Sequence, residues 1–209
     1  MTESAVRMAI EMRIRAAGIS VSEEVIGQCA IYLAVLARWN RRLNLTALAV
    51  DPPSVAAIDR LIIEPLVGSA AVRLRDRKAI DVGSGNGSPA LPMAMSSPQL
   101  SYVLIESKTR KAAFLREAIR ELGLCATVET SRFEDYWPHA ALGTIDVVSI
   151  RAVRADVGLL EGVAELLSPD GRLIRFMSES ELESVTGPLR MIQLLRNGSG
   201  APLAGIFSH

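Results

Sequence analysis

The chain has 209 residues, with 23 Lys or Arg balanced by 23 Asp or Glu. A net charge of zero excludes wholesale electrostatic attachment to DNA or an anionic membrane, so an RNA partner has to be met by a local basic patch. Hydrophobic residues make up 49% at a mean hydropathy of +0.27, yet no stretch approaches the roughly 18 to 20 uncharged apolar residues that cross a bilayer, and no membrane partner is expected.

The length suits one domain with a modest extension. Glu3, Arg7, Glu11, Arg13 and Arg15 interrupt the first apolar positions, which is not the layout of a secretory leader. From Val25 the apolar residues Cys29, Tyr32, Leu36, Trp39 and Leu43 fall in alternating steps of four and three, predicting a helix from about Val21 to Leu43, with Ser20 and Glu23 at the spacing of a capping box. Asp51-Pro52-Pro53 reads as the start of a further helix that reaches about Ile63, near Pro65. Cys29 and Cys125, the only cysteines, lie among apolar neighbours and read as core thiols of a cytoplasmic protein.

From Lys78 the rhythm changes. Ala79–Val82, Tyr102–Ile105, Ala126–Val128, Ile145–Val148 and Leu173–Phe176 are short β-rich runs separated by helical segments, of which Thr109–Leu122, closing on Gly123, is the clearest. This alternation predicts a doubly wound α/β fold with a mostly parallel, Rossmann-like sheet. Ser168-Pro169-Asp170-Gly171 predicts a turn into the fifth strand, and Met191–Leu195 with Leu203–Phe207, flanking Asn197-Gly198-Ser199-Gly200, predicts a hairpin whose last strand runs antiparallel. Two parts are expected: a helical extension over residues 1–68 and the sheet domain over 69–209.

Asp81-Val82-Gly83-Ser84-Gly85-Asn86-Gly87 follows the first strand and precedes a helix starting near Pro89. Glycine turns the chain through positive φ and lets a ligand lie against bare backbone, while the helix start offers unpaired N–H groups. A dinucleotide fingerprint needs its third glycine where Ser88 stands, so a nucleoside cofactor without a pyrophosphate, S-adenosylmethionine, fits better than NAD. Glu106, at the end of the second strand and about twenty residues beyond the loop, is placed to accept both ribose hydroxyls. Asp81 either caps the loop or approaches the methionine amino group. Ser131-Arg132-Phe133-Glu134-Asp135 follows the third strand, where an adenine ring is held; Phe133 belongs either to that site or to the core.

At these residues the sequence resembles the bacterial small-subunit ribosomal RNA guanine-N7 methyltransferase family, also called the glucose-inhibited division protein B family. The resemblance runs from about Leu36 to Phe176 and rests on Trp39-Asn40 with Asn44-Leu45-Thr46-Ala47, on Ile80 to Gly87 with Leu91-Pro92, on Glu106-Ser107 with Arg110-Lys111, on Ser131-Arg132 with Glu134, and on Asp146-Val147-Val148 with Arg151-Ala152. It implies a Rossmann-like S-adenosylmethionine-dependent methyltransferase whose partner is ribosomal RNA or the small ribosomal subunit. By that resemblance Gly83 and Ser88 would contact the cofactor, Glu106 would hold its ribose, Phe133 and Glu134 its adenine end, and Arg151 would approach the reacting side; Gly85 and Gly87 join the cofactor-binding candidates as members of the glycine loop. The chain departs from the family at Ser88, where leucine is common, at Leu61–Pro65, where a His-containing run ends in Asp-Ser, and at Met177-Ser178, where Lys-Gly is common.

Guanine N7 carries a free lone pair and needs no deprotonation, so the transfer asks for alignment and charge placement more than for a general base. Ser149-Ile150-Arg151-Ala152 stands where a methyltransferase of exocyclic amines carries an Asn-Pro-Pro-Tyr loop, and there is no cysteine there. Arg151, the candidate catalytic residue, suits the cofactor carboxylate, a phosphate, the O6 and N7 edge of a guanine, or a strand-end ion pair. Arg38, Arg41 and Arg42 with Lys108, Arg110 and Lys111 are the candidate RNA surface, extended by Arg151, Arg154, Arg172 and Arg175 along the carboxyl edge of the sheet. Neither His139 nor His209 suggests catalysis, and no metal site is expected. A small-molecule methyltransferase on the same fold and a non-catalytic, ribosome-associated cofactor-binding protein are the alternatives.

Overall fold

The computed structural model of the chain describes residues 2–178, 181, 187–197 and 201–209. Among them, β1 (Lys78–Val82), β2 (Ser101–Ile105), β3 (Ala126–Glu129), β4 (Ile145–Arg151), β5 (Leu167–Phe176), β6 (Arg190–Arg196) and β7 (Pro202–Ser208) form one sheet in the order β3-β2-β1-β4-β5-β7-β6. The first five strands are parallel, and β7 runs antiparallel to both of its neighbours. The predicted fold class and the terminal hairpin are therefore present. Asn197 closes the hairpin by donating to the Ala201 carbonyl, while the predicted Gly198–Gly200 turn lies outside the described residues.

Helices cover the sheet: α1 (Glu3–Ala16), α2 (Glu23–Leu43), α3 (Val55–Ile58), α4 (Glu64–Gly68), α5 (Ala90–Ser96), α6 (Thr109–Leu122), α7 (Phe133–Tyr136) and α8 (Val157–Leu166). Side chains alternate across a strand. Ala79, Tyr102 and Val147 accordingly join the core under α1, α2, α5 and α6, while Ile80, Val148 and Ile150 join the opposite core under α8. That parity sends Asp81, Ser149 and Arg151 toward the N-terminal helices.

Local chemistry sets the helix ends, and it corrects three expectations. The cap of α2 is Ser22, whose hydroxyl accepts from Val25 N–H, rather than Ser20; Glu23 and Glu24 then fall in the first turn, where carboxylates favour the helix dipole. The third helix starts at Ser54, which accepts from Ala57 N–H, and not at Asp51. It does not end near Ile63 either: α3 passes through a π-turn at Asp59–Ile63 into α4, with Pro65 inside the run. The predicted helix over Thr109–Leu122 is found, ending on left-handed Gly123. The Ser168–Gly171 turn is absorbed into β5 as an irregularity between the Ile145 and Val147 pairings.

Cys29 is buried, its sulfur 3.7 Å from that of Met95, and burial pushes its thiol up to about 12. Cys125 is exposed, because it follows Gly123 in the loop that leaves α6, so it is not the core thiol its neighbours suggested. No helix among the described residues is long and apolar enough to cross a membrane.

Candidate cofactor site

The glycine loop leaves β1 and folds over the end of β2. Gly83 and Ser84 both donate backbone N–H groups to the Ile105 carbonyl, at 2.9 and 3.0 Å, and the Gly87 N–H turns back to Ser84 at 2.7 Å. Gly83, Gly85 and Gly87 all have φ between 50° and 86°, the left-handed region that disfavours every other residue type here. A Cβ on Gly83 would lie 2.5 Å from Val153 Cγ2 and one on Gly87 would run into Leu91, whereas one on Gly85 would meet nothing closer than 3.6 Å. The middle glycine is thus the least crowded of the three, since a side chain there would make only an ordinary contact with the Gly83 carbonyl.

Glu106 ties this loop to the next strand. Its Oε2 accepts from Gly85 N–H at 2.9 Å and its Oε1 from Lys108 N–H at 2.8 Å, and the side chain is buried. Each oxygen keeps a second lone pair, the capacity a pair of ribose hydroxyls requires.

Asp81 stands at the base of the loop. One oxygen accepts from Ser149 Oγ at 2.6 Å, and the other is buried without a partner. Burial pushes the carboxyl up to about 6, opposed by the Ser149 and Ser84 hydroxyls and the Arg151 charge. Ser131 Oγ and Arg151 Nε are buried and unpaired as well. Three orphan polar atoms at the carboxyl ends of β1, β3 and β4 are the signature of a site that a polar ligand completes. Hydroxyls and a charged amino acid group, both present in S-adenosylmethionine, fit that donor and acceptor set.

Arg151 ends β4 opposite Phe176, and its guanidinium carbon lies 4.2 Å from the centre of that ring. Nη2 donates to Glu64 Oε2 at 3.0 Å, while Nη1 donates to Ser88 Oγ at 3.0 Å and to the Arg60 carbonyl. Burial lowers its affinity for the proton, to about 10, against the stabilising charge of Glu64. The side chain is therefore a strand-end ion pair facing the π-turn, with Nε as its one unpaired nitrogen. Directly after it, Ala152 adopts φ 54°, turning the chain so that Val153 packs on Gly83.

The other predicted residues are spread more widely. Ser88 is buried, and its hydroxyl donates to the Leu61 carbonyl at 3.0 Å. Phe133 is buried beside Gly162 of α8, on the core side of the region after β3, and Glu134 next to it is exposed. Arg172 pairs with Val147 deep in the sheet and donates to the Ala71 carbonyl, so it does not extend a patch along the carboxyl edge. Arg175 is buried and faces Glu181 at 3.9 Å. Arg38 bridges Glu117 and Glu121 of α6, and Arg41 pairs with Asp51.

Sequence reasoning missed Tyr32, counted there only as an apolar position of α2. Its ring is fully buried and its hydroxyl donates to the Asn86 carbonyl at 2.9 Å, so α2 holds the glycine loop directly. The available signal was chemical: a buried tyrosine hydroxyl usually finds a partner, as that of Tyr32 does and that of Tyr102 does not. The Asn44-Leu45-Thr46-Ala47 element has a structural role. Asn40 accepts from Thr46 N–H and donates to its carbonyl, at 2.9 and 3.0 Å, around left-handed Asn44, which ends α2.

Similar proteins place this geometry. Residues 26–195 match the family described as GidB, rRNA small subunit methyltransferase G. A Ribosomal RNA small subunit methyltransferase G of Xanthomonas axonopodis pv. citri is 38% identical over 147 residues, 68% of this chain and 64% of that protein. The protein of the same name from Mycobacterium leprae is 33% identical over 173 residues, 77% of this chain and 71% of its own length. The matched part thus spans about two thirds of these relatives. Among solved structures, a SAM dependent methyltransferase from Aquifex aeolicus superposes with a TM-score of 0.55 at 16% identity, covering 72% of this chain and 92% of that one, a likeness of fold. With the match covering the glycine loop, Glu106 and Arg151 alike, this chain belongs to the GidB family of rRNA small subunit methyltransferase G.

Proposed function

We propose that the chain transfers the methyl group of S-adenosylmethionine to N7 of a guanine in small-subunit ribosomal RNA. The observation that carries the reading is the left-handed glycine loop whose middle glycine is anchored on the buried Glu106, in a chain of this family. When bound, the cofactor supplies an electrophilic methyl group on a sulfonium centre. Gly83, Gly85 and Gly87 admit it against the backbone, and Glu106 receives its ribose. Asp81 and Arg151 offer the unpaired oxygen and nitrogen for its amino acid end, Ser88 closes the loop, and the segment after β3, with the unpaired Ser131 hydroxyl and the exposed Glu134, receives its base, while Phe133 supports that segment from the core. N7 has no proton to lose, so these residues need only align the acceptor and exclude water.

RNA is met where α2 ends beside the head of α6. The two helices pack antiparallel, since Gln28 near the start of α2 bonds to Leu122 at the end of α6, while Arg38 reaches Glu117. Arg42 and Arg110, with Trp39, consequently line one groove of about 600 Å³. The head of α6 follows Glu106 by a few residues, which puts the groove on the same sheet edge as the glycine loop. Guanidinium groups for phosphate and an indole for stacking are the means of binding unpaired RNA.

The test is titration of the protein with S-adenosylmethionine and with NAD, followed by methyl transfer to small ribosomal subunits and to naked ribosomal RNA. Binding of S-adenosylmethionine alone and a new 7-methylguanosine in the RNA are expected. Binding of NAD, or methyl transfer only to small molecules, would overturn the reading.

A further inference from the structure

The segment 59–65 carries an arrangement that neither the cofactor loop nor the sheet requires. Proline has no N–H, so Pro65 gives nothing to the carbonyl four residues back, Leu61, or five back, Arg60. Those two carbonyls accept from elsewhere: Leu61 from the hydroxyl of Ser88, at the end of the glycine loop, and Arg60 from Arg151, at the end of β4. Glu64, between them, pairs with Arg151 at 3.0 Å and with Arg60 at 2.7 Å. The π-turn itself is pinned from outside, because Arg13 of α1 holds Asp59 through two bonds of 2.6 and 2.9 Å. One turn of the N-terminal extension therefore grips both ends of the cofactor site. π-turns interrupt helices at functional sites more often than elsewhere.

We propose that Glu64 and Pro65 are positioning residues: Pro65 leaves the carbonyls that seat Ser88 and Arg151, Glu64 fixes the Arg151 guanidinium, and cofactor affinity thereby depends on the N-terminal extension. The inference rests on the cofactor assignment above. Glu64→Gln keeps the shape of the side chain and removes the charge. Pro65→Ala restores an N–H that competes with the Ser88 hydroxyl for the Leu61 carbonyl.

The experiment measures S-adenosylmethionine affinity by calorimetry and Tm by melting for wild type, Glu64→Gln, Pro65→Ala, Ser88→Ala and Pro65→Ala/Ser88→Ala, with affinities taken well below every Tm. Glu64→Gln and Pro65→Ala are each expected to bind the cofactor on the order of fivefold more weakly, the effect of one lost hydrogen bond. Ser88→Ala is expected to lower Tm, because it takes the donor from the Leu61 carbonyl and an acceptor from Arg151 Nη1. The double variant is expected to recover part of that Tm, since the backbone N–H restored by Pro65→Ala reaches the Leu61 carbonyl while the acceptor of Arg151 Nη1 stays lost, but not the affinity, since the loop stays unanchored. Affinities equal to or tighter than wild type in Glu64→Gln and Pro65→Ala overturn the proposal, as does a double variant that melts no higher than Ser88→Ala. If the wild-type protein itself binds no S-adenosylmethionine, the cofactor assignment fails first.

Discussion

Asp81 is a carboxylate with half of its hydrogen bonding missing, and its titration reports on that state. Burial puts the folded-state value at about 6, above the ordinary 3.8, so between these values the folded protein holds a proton that the unfolded chain has released. Stability contributed at this position is therefore highest below about pH 4, falls as pH rises through the window, and is level above about pH 6. In urea melts, the stability difference between wild type and Asp81→Asn should move about 2 to 3 kcal/mol in favour of the variant between pH 4 and pH 7. A difference that stays constant with pH would mean that Asp81 has a partner for its second oxygen. Arg151 makes the complementary case. Lysine keeps the charge but cannot reach Glu64, Ser88 and the Arg60 carbonyl at once, so Arg151→Lys should cost roughly 1 to 3 kcal/mol, read as a lower Tm. An unchanged Tm would show that the guanidinium is not held in this pose. The position of Arg151 at the carboxyl edge was legible in the sequence, but its direction was not, because the expected run Ile145–Val148 stopped short of it and only the observed strand puts Val147, Ser149 and Arg151 on one face. Its partners were not legible, since they come from a helical segment distant in the chain.

At the scale of elements, the glycine loop divides its work unevenly. All three glycines are left-handed, but only Gly87 and Gly83 are also hemmed in by Leu91 and Val153. Gly85→Ala should thus cost only the backbone term of about 1 to 2 kcal/mol, whereas Gly87→Ala adds overpacking for a total of about 2 to 5 kcal/mol. Chemical melts of both variants check the ranking, and equal losses would show that Leu91 moves aside freely. The sequence of strands along the chain and the span of α6 could be read from period and punctuation, because their apolar pattern and their packing agree, whereas β4 runs on to Arg151 and β5 starts already at Leu167, where Ser168–Gly171 reads as a turn. The starts of α2 and α3 could not. Ser20 and Ser22 are both acceptable caps by local chemistry, and packing of Val25 and Ile26 into the core selects the second. The π-turn had no local signal beyond Pro65, which by itself reads as a stop.

Across the whole molecule, one core cluster runs without a break from Ile10 and Ile14 of α1 through Tyr32 and Leu36 of α2 to Tyr102, Phe176 and Ile206 of the sheet. A division at residue 68 separates helices from sheet, but it cuts through that cluster. Residues 69–209 produced alone should therefore lack a cooperative thermal transition and bind a hydrophobic dye, which calorimetry and fluorescence would show; a sharp transition would make the extension an independent unit. The class of fold was visible in the alternation of strands and helices, whereas the shared core was not, because amphipathic stripes do not name their partners. The order of the strands carries a further consequence. β7 follows β6 in the chain yet lies between it and β5, and among the described residues β6 pairs with β7 alone. The outer strand thus has no ladder to join until its successor has docked, so the hairpin enters the sheet as one body, and in hydrogen exchange the backbone amides of β6 should never be protected for longer than those of β7.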